Sequence, residues 1–379
     1  MATWGLDHLA GRGFEIEIVD LSRVLQPALA GRDIPLGPWR VTHIRDMGEV
    51  DRLIRDRATG TVYVDFLLGI SDVGPREAPV FGALHRHAAP YILVYAGAVP
   101  PPDPSAPGVA AQRGSRFADP TRVLRALAGR VTRLARRAGV AYALPARVYA
   151  GHAQAIERFI DRYPALRGRV RPINSFDFDR FLALQAATPT IERDGTCLFL
   201  DEGLLGHPDF EYLGITRLDG AAYAASMSRL FDAVEAATGL TVRIAAHPRV
   251  DPVALGEAAG GREVIVGHTP ELVLRSDAVI AHASTAINFA ALAARPLIVC
   301  ETAGMRATGY SGQVHGAARA LGLRVLDAED PTAIAALPRD PTEWPSPAYE
   351  AYLGRYVRSP DAPAANTWDI VATDLAAGI

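Results

Sequence analysis

The sequence predicts an α/β protein of two doubly wound domains, each a parallel sheet wrapped by helices. Three observations carry this. The chain has 379 residues, 49% hydrophobic and 21% charged, which is ordinary for a folded protein and too long for one compact core. Short apolar, strand-like runs alternate with amphipathic stretches of helix length along most of it. In the second half, polar and ionisable residues recur directly after those runs, as expected where strand carboxyl ends form one ligand-binding edge.

In the first half, FEIEIVDL (14–21), TVYVDFLL (61–68), PYILVYAG (90–97), VAYALPA (140–146) and VRPI (170–173) are the expected buried strands. The stretch 99–120 is rich in Pro and Gly and reads as a loop. A helix follows it in which Arg122, Arg125, Arg130, Arg133, Arg136 and Arg137 are interleaved with Val123, Leu124, Leu127, Val131 and Leu134. Spacings of three and four put these apolar residues on one face. The simpler reading makes the arginines a solvated opposite face; the other makes the stretch a patch for an anionic membrane or a polyanionic acceptor.

A break near 183–195 suggests domains at 1–185 and 186–340. In the second, TCLFLDEG is a strand running into a polar tip. The helix expected over 220–238 has Tyr223, Met227, Leu230, Phe231 and Val234 on one face, Asp219 as N-cap and Gly239 just past its end. TVRIAA, REVIVG, AVIAHA, PLIVCE and RVLDA then alternate with the helices TPELVLRS, STAINFAALAA and GQVHGAARALG. Repeated βα units imply a parallel sheet with right-handed crossovers. The last stretch, 341–379, carries Trp344, Tyr349, Tyr352, Tyr356 and Trp368 and reads as a tail packing back on the body. Two such domains facing a cleft make the GT-B architecture.

Several chemistries are excluded. All 39 basic residues are arginine, so there is no Walker A lysine, no lysine for a Schiff base with pyridoxal phosphate and no kinase-type strand lysine. A net charge of -3 with arginines and acids intermixed argues against a nucleic-acid surface. Cys197 and Cys300, the two cysteines, lie in apolar runs and read as core, which fits a reducing compartment. There is no basic-then-apolar leader and no apolar run of about 18 residues. The expected location is cytoplasmic, peripheral at the inner membrane face at most.

The strand tips of the second half are Asp201-Glu202-Gly203, His247-Pro248-Arg249, Gly267-His268-Thr269, His282-Ala283-Ser284-Thr285 and Glu301-Thr302. Ser284 and Thr285 open an expected helix, whose free N–H groups suit a phosphate; the alternative is that Ser284 only caps it. Thr269 at the next helix start is read first as a cap and second as a donor contact. His247, extended by the following proline, is placed to meet a phosphate beside Arg249. His282 is given a supporting role at its tip. Asp201 and Glu202 are paired carboxylates, one of which can serve as general base. The alternative is that acid-Gly after the strand is only a turn, with Asp209, beside a second His-Pro, as the true contact; Glu202 and His207 are the candidates for an acid or supporting role. Glu301 suits ribose hydroxyls. No metal-ligand spacing is found; Asp177-Phe178-Asp179 reads as a structural cap.

The ordered set Asp201-Glu202-Gly203, His247-Pro248 and Ser284-Thr285 resembles the bacterial GT-B sialyltransferase and polysialyltransferase families, with their acidic-acidic-Gly, HP and Ser-Ser/Thr motifs. Wider strings such as VRIAAHPR and AVIAHASTAINFAAL are similar to proteins of bacterial surface-polysaccharide loci. The resemblance spans roughly 195–302, and nothing comparable marks the first half. It implies metal-independent transfer of a sialic-acid-like sugar or Kdo from a CMP-sugar to a glycan, glycolipid or glycoprotein hydroxyl. It also implies Asp201 as base, His247 at the donor phosphate, and Ser284 and Thr285 as phosphate ligands. The alternatives are a UDP-sugar epimerase or other GT-B nucleotide-sugar enzyme, and a non-catalytic glycan-binding subunit. For the acceptor, Asp65, His85, Arg86, His87 and Arg116 stand at strand or loop ends of the first half.

Overall fold

The structure, a computed structural model, describes residues 5–25, 38–57, 59–65, 77–97, 99–109, 120–138, 140–188, 191–205, 217–247, 250–345, 347–363 and 365–378. The chain divides into two units. The first takes the described residues up to Ala96, those from 120 to Ser175 and those from Arg358 onward; the second takes the described part of Gly97–Ala118 and Phe176–Val357.

In the first unit, β1 (Glu17–Asp20) and β2 (Arg40–His43) form a two-stranded parallel sheet. β3 (Tyr63–Asp65), β4 (Tyr91–Tyr95), β5 (Arg147–Ala150) and β6 (Val170–Pro172) form a four-stranded parallel sheet in that order. β2 has no counterpart in the sequence reading, and the strand expected at 140–146 is instead the following Arg147–Ala150. Ala141 has φ +70 and Pro145 has no N–H for a ladder, so the apolar run is a connection that delivers the true strand.

The second unit holds β7 (Thr196–Leu200), β8 (Thr241–Ala246), β9 (Val264–Val266), β10 (Ala278–Ala281), β11 (Leu297–Glu301) and β12 (Val325–Asp327), all parallel, in the order β12-β11-β10-β7-β8-β9. Counted from β7, this is the 3-2-1-4-5-6 order of a dinucleotide-type sheet, and the direction of winding reverses between β7 and β10. Every residue of β7, β10 and β11 is buried, as continuous apolar strands covered on both faces must be. Cys197 and Cys300 lie in this core. The helix Gly220–Thr238 is capped as expected: Asp219 accepts from Ala222 N at 3.1 Å, and Gly239 closes the helix at φ +74.

Two expectations shift. The boundary read at 185 falls inside the helix Phe176–Ala187, and the division comes before it. That helix belongs to the second unit because it packs on the helices Thr269–Arg275 and Ile287–Leu292, and half-buried Asp177 accepts from Asn288 Nδ2 at 2.7 Å. Asp177 is therefore a first-turn residue tied to a neighbouring helix and not a cap. The stretch 341–379 is shared: Trp344 and the helix Tyr349–Tyr356 join the second core, while the helix Thr367–Ala376 joins the first unit.

The helix Pro120–Arg137 departs most from its simpler reading. Leu127, Val131 and Leu134 are 50%, 67% and 65% exposed, while Gly129 and Thr132 face inward. No helix among the described residues is long and apolar enough to cross a membrane.

Candidate functional site

In open α/β sheets the crevice for a ligand opens at the carboxyl ends of the two strands where winding reverses. Here those strands are β7 and β10, whose tips carry Asp201-Glu202 and His282-Ala283-Ser284. β8, beside β7, carries His247.

The β7 and β8 tips are bound to each other. Asp201 N–H donates to Ala245 O at 3.0 Å, extending the ladder by one residue. The Asp201 carboxylate accepts from the His247 N–H at 3.3 Å and from the Gly203 N–H. Gly203 has φ +64, and a Cβ there would lie 3.2 Å from His247 Cβ and from Val250 Cγ2. The glycine of the acidic-acidic-Gly motif thus has two reasons: a left-handed backbone and direct packing on His247 and Val250. Burial pushes the Asp201 carboxyl above its ordinary value, and the backbone hydrogen bonds and His247 pull the other way.

Glu202 bridges the reversal. Its Oε1 accepts from Ala283 N–H at 2.6 Å, the Ser284 N–H also points to this carboxylate, and Oε2 accepts from the Tyr310 hydroxyl. Burial raises this carboxyl to about 7, Asp201 adds to the rise, and its three donors oppose it. Tyr310 was not among the sequence candidates. It lies between the short helices Ala303–Thr308 and Ser311–Leu321, where no motif marks it, and only the fold brings it to Glu202.

The expected phosphate site at Ser284-Thr285 is built differently. The helix starts at Ile287, not at Ser284, and runs only to Leu292. Ser284 Oγ accepts from Ala286 N at 3.2 Å, and Ile287 N and Asn288 N bond Ser284 O and Thr285 O in a turn ahead of it. The cause is a carboxylate far away in the chain: Glu202 holds the Ala283 and Ser284 N–H groups, and the chain turns before it coils. The hydroxyls of half-buried Ser284 and exposed Thr285 remain at the β10 tip.

His282 lies beneath this tip, wholly buried. Nδ1 is 2.7 Å from Cys300 O, which can only accept, so Nδ1 carries the proton and Nε2 accepts from Tyr223 OH at 2.9 Å. Burial lowers its pKa to about 4. Both ring nitrogens are engaged within the protein and Phe199 lies against the ring. Glu301, expected at ribose hydroxyls, is likewise engaged by the protein: it accepts from the Ser311 hydroxyl, His315 Nε2 lies at 3.2 Å, and Arg306 lies at 3.6 Å. Thr269 belongs to the β9 tip, two strands from the reversal, and the N-cap of its helix is His268, which makes no side-chain cap bond. Arg249, His207, Asp209 and Arg116 lie outside the described residues. In the first unit, Arg86 and His87 pair with Asp51 at 2.6 and 3.1 Å. Among the described residues no group of three His, Cys, Asp or Glu side chains is arranged to hold a metal ion.

No protein-family model matches the chain, and no curated protein matches it in sequence. Among solved structures, it is similar to Os79 from O. sativa in complex with UDP, with a TM-score of 0.50 at 11% identity over 98% of this chain and 95% of that one. The spinosyn forosaminyltransferase SpnP gives 0.46 at 12% identity, covering 98% and 92%. UDP-GlcNAc 2-epimerase of Methanocaldococcus jannaschii, in complex with UDP-GlcNAc and UDP, gives 0.42 at 11% identity, covering 96% and 99%. The fold read from the sequence, α/β with two Rossmann-like units of the GT-B kind, is the fold of this chain.

Proposed function

We propose that the protein is a glycosyltransferase whose nucleotide-sugar donor binds at the β7/β10 reversal, and that the donor is a CMP-activated nonulosonic or ulosonic acid. One observation carries this reading: Asp201, Glu202, the backbone of His247 and the Ala283-Ser284 segment are joined by direct hydrogen bonds at the one place in the second sheet where winding reverses. The order of those residues along the chain supports the sugar class.

Asp201 is the base. Its carboxylate is held by backbone N–H groups, and burial lifts its affinity for a proton. It takes the proton of the acceptor hydroxyl as that oxygen bonds the anomeric carbon; the carbon–phosphate oxygen bond breaks, and its electron pair leaves with CMP. His247 with the Ser284 and Thr285 hydroxyls meets the phosphate charge. Glu202 fixes the β10 tip, since both of its oxygens already have donors.

A UDP-sugar enzyme, transferase or epimerase, is the second reading. It is favoured by two adjacent carboxylates with raised proton affinity and by the UDP bound to Os79. Thermal shifts with CMP, CDP, UDP and GDP separate the readings. A ligand at a hundred times its Kd adds roughly 2.7 kcal/mol, worth several degrees of Tm. A shift with CMP is expected. A shift with UDP alone moves the assignment to the second reading, and none with any nucleotide removes both and leaves a glycan-binding subunit.

A further inference from the structure

We propose that the helix Pro120–Arg137 docks the protein on an anionic lipid bilayer. A helix on a globular body ordinarily turns its apolar stripe inward. This one does the reverse: Leu127, Val131 and Leu134, at spacings of four and three, form an exposed aliphatic row, continued by exposed Ala138 and Val140. At 100° per residue Arg130 and Arg137 lie along one flank of that row, and both are exposed.

Charge selects the occupant. The helix carries six arginines and no acidic residue in 18 positions, within a chain of net charge -3, and two of the six, the exposed Arg130 and Arg137, border the aliphatic row. A second copy on the same row would form an isologous pair and bring like charges together. A polyanionic glycan would satisfy the arginines and leave Leu and Val in water. An anionic bilayer takes both: the aliphatic row enters the headgroup boundary and the flanking Arg130 and Arg137 meet lipid phosphates, the arrangement of an interfacial amphipathic helix.

The test is co-sedimentation of the full chain with vesicles of pure phosphatidylcholine, or with about 30% phosphatidylglycerol, at low and high salt. Partitioning at least roughly tenfold stronger on the anionic vesicles, weakened by salt, is expected. V131D/L134D and, separately, R130Q/R137Q should each cut it severalfold while leaving Tm and any nucleotide-induced shift unchanged. In the unmodified chain, vesicles should slow amide exchange across 127–137. Equal partitioning on both vesicle types, unchanged binding by both variants, or no added protection of that helix would overturn the proposal. So would light scattering that shows a dimer which V131D/L134D dissociates.

Discussion

At the scale of single residues, the site depends on how two neighbouring carboxylates are held. Asp201 receives backbone N–H groups; in the role of base proposed for it, Asp201→Asn keeps the shape and removes the proton acceptor. A loss of transfer of about 10²–10⁴-fold with nucleotide-induced stabilisation intact is expected, and undiminished turnover in a coupled assay would refute the role. Gly203→Ala places a Cβ 3.2 Å from His247 at a left-handed backbone, so weaker nucleotide binding and a lower Tm should appear together. Glu202 and His282 have opposed pH signatures. Glu202 ionises near 7 when folded and near 4.5 when unfolded; the folded state binds more protons between those values, and stability falls as pH rises through them. His282 titrates near 4 when folded and near 6.5 when unfolded, so its contribution grows as pH rises through that window. Each slope approaches about 1.4 kcal/mol per pH unit, and in the overlap they offset. Glu202→Gln keeps an acceptor for Ala283 N–H; the variant's Tm should climb between about pH 4.5 and 6.5 more steeply than the parent's. Parallel Tm profiles would show that Glu202 does not titrate in this range.

At the scale of elements, the strand tips matter more than the helices. Asp201, Glu202 and His247 are legible as strand tips because polar residues directly after a buried apolar run mark the strand's carboxyl end. The Ser284 helix start was not legible, since periodicity locates an apolar face but cannot show that a distant carboxylate captures the first N–H groups. Tyr310 is the same kind of omission: one aromatic between two short helices carries no pattern. The helix Gly220–Thr238 is the opposite case, with cap, buried face and closing glycine all set by local rules. Asp219→Ala should cost about 1 kcal/mol in urea unfolding and Leu230→Ala, fully buried on the same helix, about 2–5 kcal/mol. Equal costs would mean that the cap holds more than its own turn.

At the scale of the whole molecule, the chain passes between its two units more often than its order suggests. Part of the Gly97–Ala118 stretch belongs to the second unit, where Asp103 N–H donates to Gly312 O at 2.7 Å and Arg319 pairs with Asp103 at 3.0 Å. The C-terminal helix Thr367–Ala376 returns to the first, where Asp374 accepts from Tyr149 OH at 3.1 Å and pairs with Arg147 at 3.3 Å and Arg171 at 3.1 Å. Asp374→Ala leaves these partners without their carboxylate and should destabilise by about 1–3 kcal/mol. Nucleotide should slow amide exchange at 201–203, 247 and 283–286 and leave the β3–β6 sheet unchanged; protection centred on that sheet would place the ligand in the other unit.

The sequence by itself determined the fold class, most of the second unit's strands and helices, and the carboxylates and histidine at its strand tips, because hydrophobic period, caps and turn residues act over a few neighbours. Tertiary structure alone decided which tips meet, that Glu202 spans the reversal to Tyr310, that His282 and Glu301 are satisfied internally, and that the arginine-rich helix turns its aliphatic row outward. Those outcomes depend on strand order and on which partner reaches a polar group first, and both join residues tens to hundreds of positions apart.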